Sequence, residues 1–437
     1  MGLVTTITSG IAAGLRSRLI ARAGGIDLTR LDRVPEQVAW PLRRTGVDPV
    51  PRLGEMRDRD PVFRLASFLG LDVWLVTGDA EAREVLADAT SYSTDIRPYF
   101  GRSGSADGDI GGLGFTDPPE HTRLRKLLTP EFTMRRLARL QPTIDAVVER
   151  QLDELTAAFE IDGQVDIAQA FAFPIPFLVI CELLGLPDDR REHFRTLASA
   201  RFDISSGGMG TIGAISGSRD FLLREAARQR REPGPGLIGQ IIREHGDEIS
   251  DFDLGGLADG VFTGGLETSA SMLALGTAVL LQERELWRRL AEEPGAAAPI
   301  VEELLRYLSV VQVAFPRFAK QDVVVGGHRI RKGAVVMVSI PAANRDGRVH
   351  PGDRLDPSRS SGSHLAFGHG MHRCIGAELA RMELRTAFPG LARRFPELQL
   401  AMPLQELEFH DMSLVYGVRS VPVTLGGAVD PLTSRAG

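Results

Sequence analysis

The sequence predicts a mainly α-helical protein with a small β region. Several long segments repeat apolar residues at spacings of three and four, whereas strand-like runs are few and short. The longest helical segment, Ser250–Leu290, is apolar nearly all round in its middle, so we expect it to run through the core.

Helices are predicted at four places, each from a start signal or from its periodicity. Asp79–Asp88 opens with an aspartate cap, and Pro118–Thr133 has proline in its first turn directly after Asp117. Arg135–Phe159 carries apolar residues three and four apart, and Ser250–Leu290 extends the same pattern over a longer stretch. These segments form the expected helical body of the protein.

Strands are predicted in three short regions. Asp72–Gly78 and Arg419–Leu425 are single runs rich in β-branched residues. Asp322–Ile340 is typical of a hairpin that turns at Gly326–Gly327, with a further turn at Lys332–Gly333. The β region is therefore expected to be minor.

Composition restricts the class of protein. The 437 residues are 43% hydrophobic and 25% charged, which is ordinary for a globular protein with a large core. The 51 basic and 57 acidic side chains give a net charge of −6, which argues against a nucleic-acid-binding protein. Two cysteines, Cys181 and Cys374, exclude a disulfide framework. Cys181 has apolar neighbours at helical spacing and is expected to be an inert core residue.

Residues 1–60 are expected to be an N-terminal extension that leads into the domain. Their apolar run precedes Arg16 and Arg18, whereas a signal peptide places basic charge first. The run is also shorter than the roughly 20 residues that span a bilayer. A loosely packed extension is favoured over a peripheral amphipathic helix. We therefore expect a cytoplasmic protein without an integral membrane segment.

Cys374 lies in the stretch HLAFGHGMHRCIGAELAR, where its role is not obvious. A zinc site would use this thiol with His364, His369 and His372, but the second paired ligand motif of such sites is missing. A nucleophilic cysteine would need a catalytic signature around it, and none surrounds this thiol. A thiolate ligand to haem iron would explain the glycines, because they let the backbone approach a flat macrocycle. On the residues alone, all three chemistries stay open.

The same stretch resembles the haem-binding loop of the cytochromes P450 at each signature position, Phe367-Gly368-x-Gly370-x-His372-x-Cys374-x-Gly376-x-x-Leu379-Ala380-Arg381. The resemblance implies a single-domain cytochrome P450 fold over residues 61–425, with a flexible tail at 426–437. Haem b would lie between the long central helix and the helix after the cysteine, with the Cys374 thiolate as axial ligand. Phe367 would pack beside the sulfur, and Gly376 would open a helix whose N–H groups bond it.

The long helix contains Gly264-Gly265-Leu266-Glu267-Thr268, which is similar to the G-G-x-[DE]-T segment of that family. Two glycines inside a helix cost about 1 kcal/mol each, so they need a reason. The resemblance implies that they let the helix pass close to the haem, and that Glu267 and Thr268 deliver protons to bound O2. The alternative is a glycine-rich helix crossing with an incidental acid.

Cationic side chains elsewhere fit the same resemblance. His121 and Arg125 lie one helical turn apart, and with Arg317 and His372 they are implied as partners of the haem propionates. Taken singly, each could be a surface charge.

The segment EELLRY is similar to the E-x-x-R pair of the family. Glu303 and Arg306 share one helix face, and the resemblance implies that Arg345 joins them in a buried structural triad. The alternative is a surface ion pair that contributes little to stability.

The activity implied by the resemblance is that of a monooxygenase, which inserts one oxygen atom of O2 into a hydrophobic small molecule by hydroxylation or epoxidation. No flavin or iron–sulfur motif is present, so electrons are expected from a ferredoxin and an NAD(P)H-linked ferredoxin reductase. A peroxide-driven enzyme and a haem sensor are rival functions, and the presence of the acid–alcohol pair argues against both. Candidate contacts for the ferredoxin, or else plain solvated charges, are Arg123, Lys126, Arg135, Arg373, Arg381 and Arg385.

The substrate pocket is expected to draw on three segments. Ser93–Leu113 and Leu197–Gly217 would form walls, and Val310, Val311 and Gln312 would line the haem side. A largely apolar lining favours a fatty acid, terpenoid, steroid or polyketide-like molecule.

Overall fold

The computed structural model describes residues 36–68, 71–95, 112–201, 212–359, 364–410 and 412–426. The α-helices of this part of the chain are α1 (Glu36–Ala39), α2 (Pro51–Arg59), α3 (Asp79–Ala87), α4 (Glu120–Leu128), α5 (Met134–Leu137), α6 (Gln141–Asp162), α7 (Pro174–Leu184), α8 (Asp188–Arg201), α9 (Ile212–Gln229), α10 (Leu237–His245), α11 (Asp251–Gln282), α12 (Arg284–Glu292), α13 (Ala297–Leu308), α14 (Ile340–Asn344) and α15 (Ala377–Arg394).

The strands of the described residues form small sheets. They are β1 (Val62–Phe68), β2 (Leu71–Val76), β3 (Tyr92–Ser93), β4 (Gln164–Asp166), β5 (Arg317–Ala319), β6 (Val323–Val325), β7 (His328–Ile330), β8 (Val335–Val338), β9 (Leu398–Leu400) and β10 (Pro422–Leu425). The largest sheet has the order β1-β2-β8-β5-β3, in which only the β2–β8 pair is parallel. The prediction of a helical body with a small β region is confirmed.

The central helix α11 organises the core. The Ser250 hydroxyl caps it by accepting a hydrogen bond from the Asp253 N–H at 3.0 Å, as expected for a helix start. Within the described residues it is the one helix long and apolar enough to cross a membrane, and 72% of its apolar window is buried by other parts of the protein. Helices α7, α9, α13 and α15 pack directly against it, and α6 packs on the far side of α7 and α15.

Three predicted helices have different bounds from those expected. The predicted Pro118–Thr133 helix is α4, which passes into a 3-10 turn at Thr129–Phe132 where Pro130 lacks an N–H. The predicted Arg135–Phe159 helix is interrupted by a 3-10 turn at Ala138–Leu140 before α6 begins. The long helix ends at Gln282, and α12 starts separately, held at Arg284 by bonds to the carbonyls of Leu398 and Pro396.

Residues 36–60, the described part of the predicted N-terminal extension, pack against the rest of the protein. Arg44 is buried and donates to the carbonyl of Leu308 at 2.7 Å, while its guanidinium lies 4.4 Å from the ring centroid of Tyr416. Burial lowers the pKa of Arg44 to about 10, which leaves it charged at neutral pH. This side chain therefore fastens residues 36–60 to the end of α13.

Candidate functional site

The cysteine loop is a tight turn closed by its own backbone. The Gly368 N–H donates to the Leu365 carbonyl, and the Cys374 N–H donates to the Phe367 carbonyl, each at 2.8 Å. Gly368 and Gly370 have φ of 70° and 71°, a conformation that L side chains rarely adopt. The loop therefore depends on glycine for its shape.

A buried amide fixes the start of this loop. The Asn344 side-chain oxygen accepts a hydrogen bond from the Leu365 N–H at 2.6 Å, and its nitrogen donates to the Ser309 hydroxyl at 2.8 Å. The Asn344 carbonyl also accepts from Arg306. The loop is thus tied to the ends of α13 and α14.

The Cys374 sulfur is placed to bind a metal from one side. The residue is exposed, and it lies two positions before Gly376, the N-cap of α15. Desolvation raises the pKa of the Cys374 thiol, while the Gly376 N–H, which donates to the sulfur, lowers it, as do nearby arginines. The prediction for Gly376 as the residue that opens a helix beside the sulfur agrees with this geometry. An accessible sulfur with an N–H donor is a suitable thiolate ligand.

The central helix presents a bare backbone patch. Gly264 is exposed, and a Cβ added there would meet nothing within 4 Å. The Thr268 hydroxyl donates to the Gly264 carbonyl at 2.7 Å, and both Glu267 and Thr268 are partly exposed. We expected Gly265 to face the cofactor as well, but its missing Cβ makes room for Ile180 of α7 at 3.0 Å. Only Gly264 lies on the open side.

His121 and His372, which were predicted as propionate partners, lie side by side. His121 is buried, neither of its ring nitrogens has a hydrogen-bond partner in the described residues, and its ring lies 4.4 Å from that of His372. Burial and Arg125 lower the pKa of His121, and burial and Arg317 lower the pKa of His372 to about 3. Both rings are therefore neutral in this environment, and the His121 ring carries unused donor capacity.

The two predicted arginines complete a cationic surround. Arg317 is buried and donates to the Phe315 carbonyl at 2.7 Å, and burial lowers its pKa to about 10. Arg125 is half-buried and donates to the Arg373 carbonyl at 2.8 Å, beside the cysteine. Buried cations and the unpartnered imidazole of His121 are groups that a dianionic cofactor would satisfy, so these residues fit haem.

An acid at this cluster was missed by the sequence reasoning. The Asp117 carboxylate accepts from the Thr94 N–H at 2.9 Å and from the Ser93 hydroxyl at 2.5 Å, and the Thr94 hydroxyl lies 3.5 Å from His372 Nε2. A small recess opens beside it. Its lining residues are Leu86, Asp88, Ala89, Tyr92, Thr94, Asp117, Arg317, Met371 and His372. The sequence signal was the aspartate that precedes α4, which we interpreted only as a helix start.

The structural triad has a different third member from the one expected. Arg306 donates to both carboxylate oxygens of buried Glu303, at 2.8 and 2.6 Å. The third partner is Arg359, whose Nε lies 3.3 Å from Glu303. The prediction of Arg345 is wrong, because its guanidinium lies over the Tyr307 ring at 3.7 Å and pairs with Asp48 and Asp353. The sequence signal for Arg359 was the segment DPSR, in which the Asp356 N–H also donates to Glu303.

The histidines of the loop do not form a zinc site. Within the residues that the structure describes, no three His, Cys, Asp or Glu side chains are grouped to hold a metal ion. The His364 ring is directed at Glu302, with Nε2 at 3.2 Å from the carboxylate. Cys181 lies fully buried in α7, and burial raises its pKa to about 12, which agrees with an inert core thiol.

The three predicted pocket segments are described by the structure to different extents. Residues 96–111, most of the first predicted wall segment, and residues 202–211, about half of the second, lie outside the described residues. Val310 is buried in the core, and Val311 pairs with Val415 in an isolated bridge. The Gln312 amide donates to the carbonyls of Leu42 and Ser413, so this side chain ties segments together.

Large apolar side chains nearby were not predicted as pocket residues. Phe315 and Leu414 are 44% and 42% exposed, which is unusual for side chains of this size. The Phe115 ring packs edge-on against Phe315 at 4.8 Å, and a Cβ on Gly114 would overlap the Phe315 ring. These residues form an apolar surface between the 3-10 turn that ends at Phe115 and the segment leading to Arg317.

Comparisons with known proteins agree with this geometry. A family model described as Cytochrome P450 matches residues 227–415. Cytochrome P450 165C4 of Amycolatopsis orientalis is 40% identical over 393 residues, covering 87% of this chain and 95% of that protein. Vitamin D(3) 25-hydroxylase of Pseudonocardia autotrophica is 38% identical, covering 87% and 94%. The structure of P450 StaH from glycopeptide antibiotic A47934 biosynthesis superposes with a TM-score of 0.77 at 39% identity, covering 88% and 99%.

Proposed function

Since this chain belongs to the cytochrome P450 family and is a haem-thiolate monooxygenase, we propose that Cys374 is its iron ligand. We further propose that it inserts one oxygen atom of O2 into a hydrophobic small molecule by hydroxylation or epoxidation. The observation that supports this assignment most strongly is the accessible Cys374 sulfur, to which the Gly376 N–H donates.

Several of the described residues would bind haem b, each at a different part of the cofactor. Cys374 would ligate the iron, and Arg125, Arg317, His121 and His372 would face the propionates. The bound haem activates O2 and transfers one of its atoms, a reaction that thiolate ligation favours. The protein contributes the glycine-dependent loop that fixes the sulfur and the apolar side chains that limit water.

Proton delivery is proposed for the patch on α11. The Thr268 hydroxyl already donates to the Gly264 carbonyl, so it is held at the exposed side of the helix with its lone pairs available. Glu267, the neighbouring acid, is partly exposed and would pass protons from solvent to this hydroxyl.

The proposed substrate is a hydrophobic molecule of moderate size, such as a fatty acid, terpenoid, steroid or polyketide-like product. Exposed Phe315 and Leu414 support an apolar contact surface. A relative named vitamin D(3) 25-hydroxylase fits this class. Val310 and Val311 stay proposals as lining residues, and the bonds of Gln312 argue for a supporting role at the same wall.

A ferredoxin and its NAD(P)H-linked reductase are the proposed electron donors, with the ferredoxin docked on the cysteine side. Internal pairing reduces the candidate docking cations. Arg123 pairs with Glu120 and Asp253, and Arg381 and Arg385 pair with Glu302. Exposed Arg373 remains, with Lys126 and Arg135 on α4 and α5, as the better candidates to meet an acidic partner.

The decisive test is spectroscopic. The haem-supplied protein, reduced under carbon monoxide, should give the far-red-shifted Soret band that marks thiolate ligation, and Cys374→Ala should abolish it. A wild-type protein without this band, or a variant that retains it, would overturn the assignment. A compound library screened for the low-spin to high-spin shift of the ferric protein would then identify the substrate class.

A variant of Thr268 separates O2-driven from peroxide-driven catalysis. With its redox partners, Thr268→Ala should consume NAD(P)H at a substantial rate but release most of the electrons as hydrogen peroxide, because proton delivery is impaired. Thr263→Ala is a matched control, since its hydroxyl also donates to a carbonyl four residues earlier on α11. Unchanged product yield in Thr268→Ala would contradict the proposed proton route.

A further inference from the structure

One carboxylate on α13 gathers donors from two other elements. Glu302 accepts from Arg381 Nε at 2.7 Å and Nη2 at 2.9 Å, from Arg385 at 3.0 Å and from His364 at 3.2 Å. Its side chain is 19% exposed. Burial alone would raise the pKa of Glu302, but the bonds from His364 and Arg381 outweigh it and hold this pKa well below its usual range. The group is therefore a permanent anion near neutral pH.

The His364 ring links this anion to the start of the cysteine loop. The Ala366 N–H donates to His364 Nδ1 at 3.2 Å, and His364 Nε2 lies 3.2 Å from the Glu302 carboxylate. The cysteine loop is thereby joined to α13 through this side chain.

The Arg381 guanidinium links the same anion to the residue beside the sulfur. It lies over the Phe367 ring, 4.6 Å from the centroid, and the Phe367 carbonyl accepts the Cys374 N–H. Arg381 is also one of three arginines whose charge acts on the Cys374 sulfur. Its side chain is 12% exposed, so this charge is only partly screened by water.

We propose that Glu302 is a positioning residue for the Cys374 thiolate. Glu302 holds Arg381 over the Phe367 ring and offsets the charge of Arg381 at the sulfur. This inference rests on the proposed function, because it assumes haem iron bound to Cys374. Glu302 precedes the structural pair of Glu303 and Arg306 on the same helix but acts on a different target. Glu302, Arg381 and Arg385 together form a clamp on the cysteine loop. Arg381 and Arg385 therefore do not serve as free cations for docking a ferredoxin.

The reduction potential of the haem distinguishes electrostatic positioning by Glu302 from a merely structural role. Glu302→Gln removes one negative charge, so Arg381 is no longer offset and the electron-rich ferrous state gains stability. The midpoint should rise. Arg381→Gln removes one positive charge, and the midpoint should fall. Opposite shifts from two partners of one ion pair indicate electrostatic control, whereas general loosening of the loop shifts both in one direction.

Two control variants sharpen the test. Glu302→Asp keeps the charge and should restore the wild-type midpoint in large part. Glu378→Gln removes another acid that bonds Arg381 at 2.7 Å, but Glu378 lies on α15 itself and is 38% exposed, so its effect should be much smaller. If Arg381→Gln takes up no haem, Arg385→Gln gives the same downward shift on a smaller scale.

The outcomes separate this inference from the proposed function. A wild-type protein without the thiolate band defeats the proposed function itself. A normal wild-type band with midpoints of Glu302→Gln and Arg381→Gln that are unchanged, or that shift in the same direction, overturns the role of Glu302 alone. A Glu378→Gln shift as large as that of Glu302→Gln would also overturn it, because the charge would then act without the clamp.

Discussion

Glu383 on α15 makes the stability of the protein depend on pH in a direction opposite to that of most carboxylates. The residue is 2% exposed, and its carboxyl group bonds to Ser269 of α11. Desolvation raises the pKa of Glu383 from 4.5 to about 8, so the folded protein keeps this proton at neutral pH. Above pH 4.5 the unfolded chain releases it, and folding then requires proton uptake.

The magnitude follows from linkage. Between the unfolded and folded pKa values the unfolded state binds fewer protons, so stability falls by about 1.4 kcal/mol for each pH unit. From pH 4.5 to pH 7 this is roughly 3.4 kcal/mol, and the loss ends near pH 8, where the folded group ionises. The contribution is therefore largest below pH 4.5 and smallest above pH 8.

Replacing Glu383 with Gln should remove this slope. The neutral amide keeps the shape and an acceptor for Ser269, so the variant should match the wild type near pH 5 and exceed its stability by roughly 3 kcal/mol at pH 7 to 8. Thermal melting of the haem-loaded protein across pH 5 to 8.5 measures the difference between the two curves. Exposed Glu397→Gln is the control and should leave the slope intact. Parallel curves for wild type and Glu383→Gln would refute the reasoning.

Two sets of glycine variants test the cysteine loop and the central helix. Gly370→Ala should lower haem content and cost about 1–2 kcal/mol for the left-handed backbone alone, and more because its Cβ would lie 2.5 Å from the Leu86 carbonyl oxygen. Gly327→Ala, with φ of 81° and open space, isolates the backbone penalty; equal losses in both would contradict a special role for the Leu86 contact. Gly264→Ala should raise the melting temperature by a helix-propensity gain of about 0.5–1 kcal/mol yet weaken substrate-induced spin shifts, since its methyl group would occupy the bare patch. Gly265→Ala should lack the stability gain because of Ile180, and a reversed ranking of the two variants would show that the wrong glycine faces the site.

Sequence patterns were sufficient where a residue type is dictated by local geometry. The glycines of the cysteine loop and Gly376 before α15 follow from backbone requirements that are visible in the sequence. The hairpin at Gly326–Gly327 is confirmed for the same reason, as β6 and β7 flank it.

The misses concern contacts between distant segments. Arg345 and Arg359 both follow the pair of Glu303 and Arg306, and only the folded path of the chain decides which guanidinium reaches the carboxylate. Gly265 looks like Gly264 in the sequence, but which one faces Ile180 depends on the rotation of α11. The bonds that join Glu302 to His364 span 62 residues, and no local pattern records them.

The amide of Asn344 has a consequence for the order in which the protein matures. It bonds Ser309 and Leu365, partners 35 and 21 residues away, so three separate parts of the chain must already be in place before the cysteine turn is complete. Contacts of such separation form after local helices, because loop closure is entropically costly. We therefore expect the nascent polypeptide to acquire its prosthetic group late, on a preassembled scaffold, with the metal acting as a final fastener and not as a nucleus.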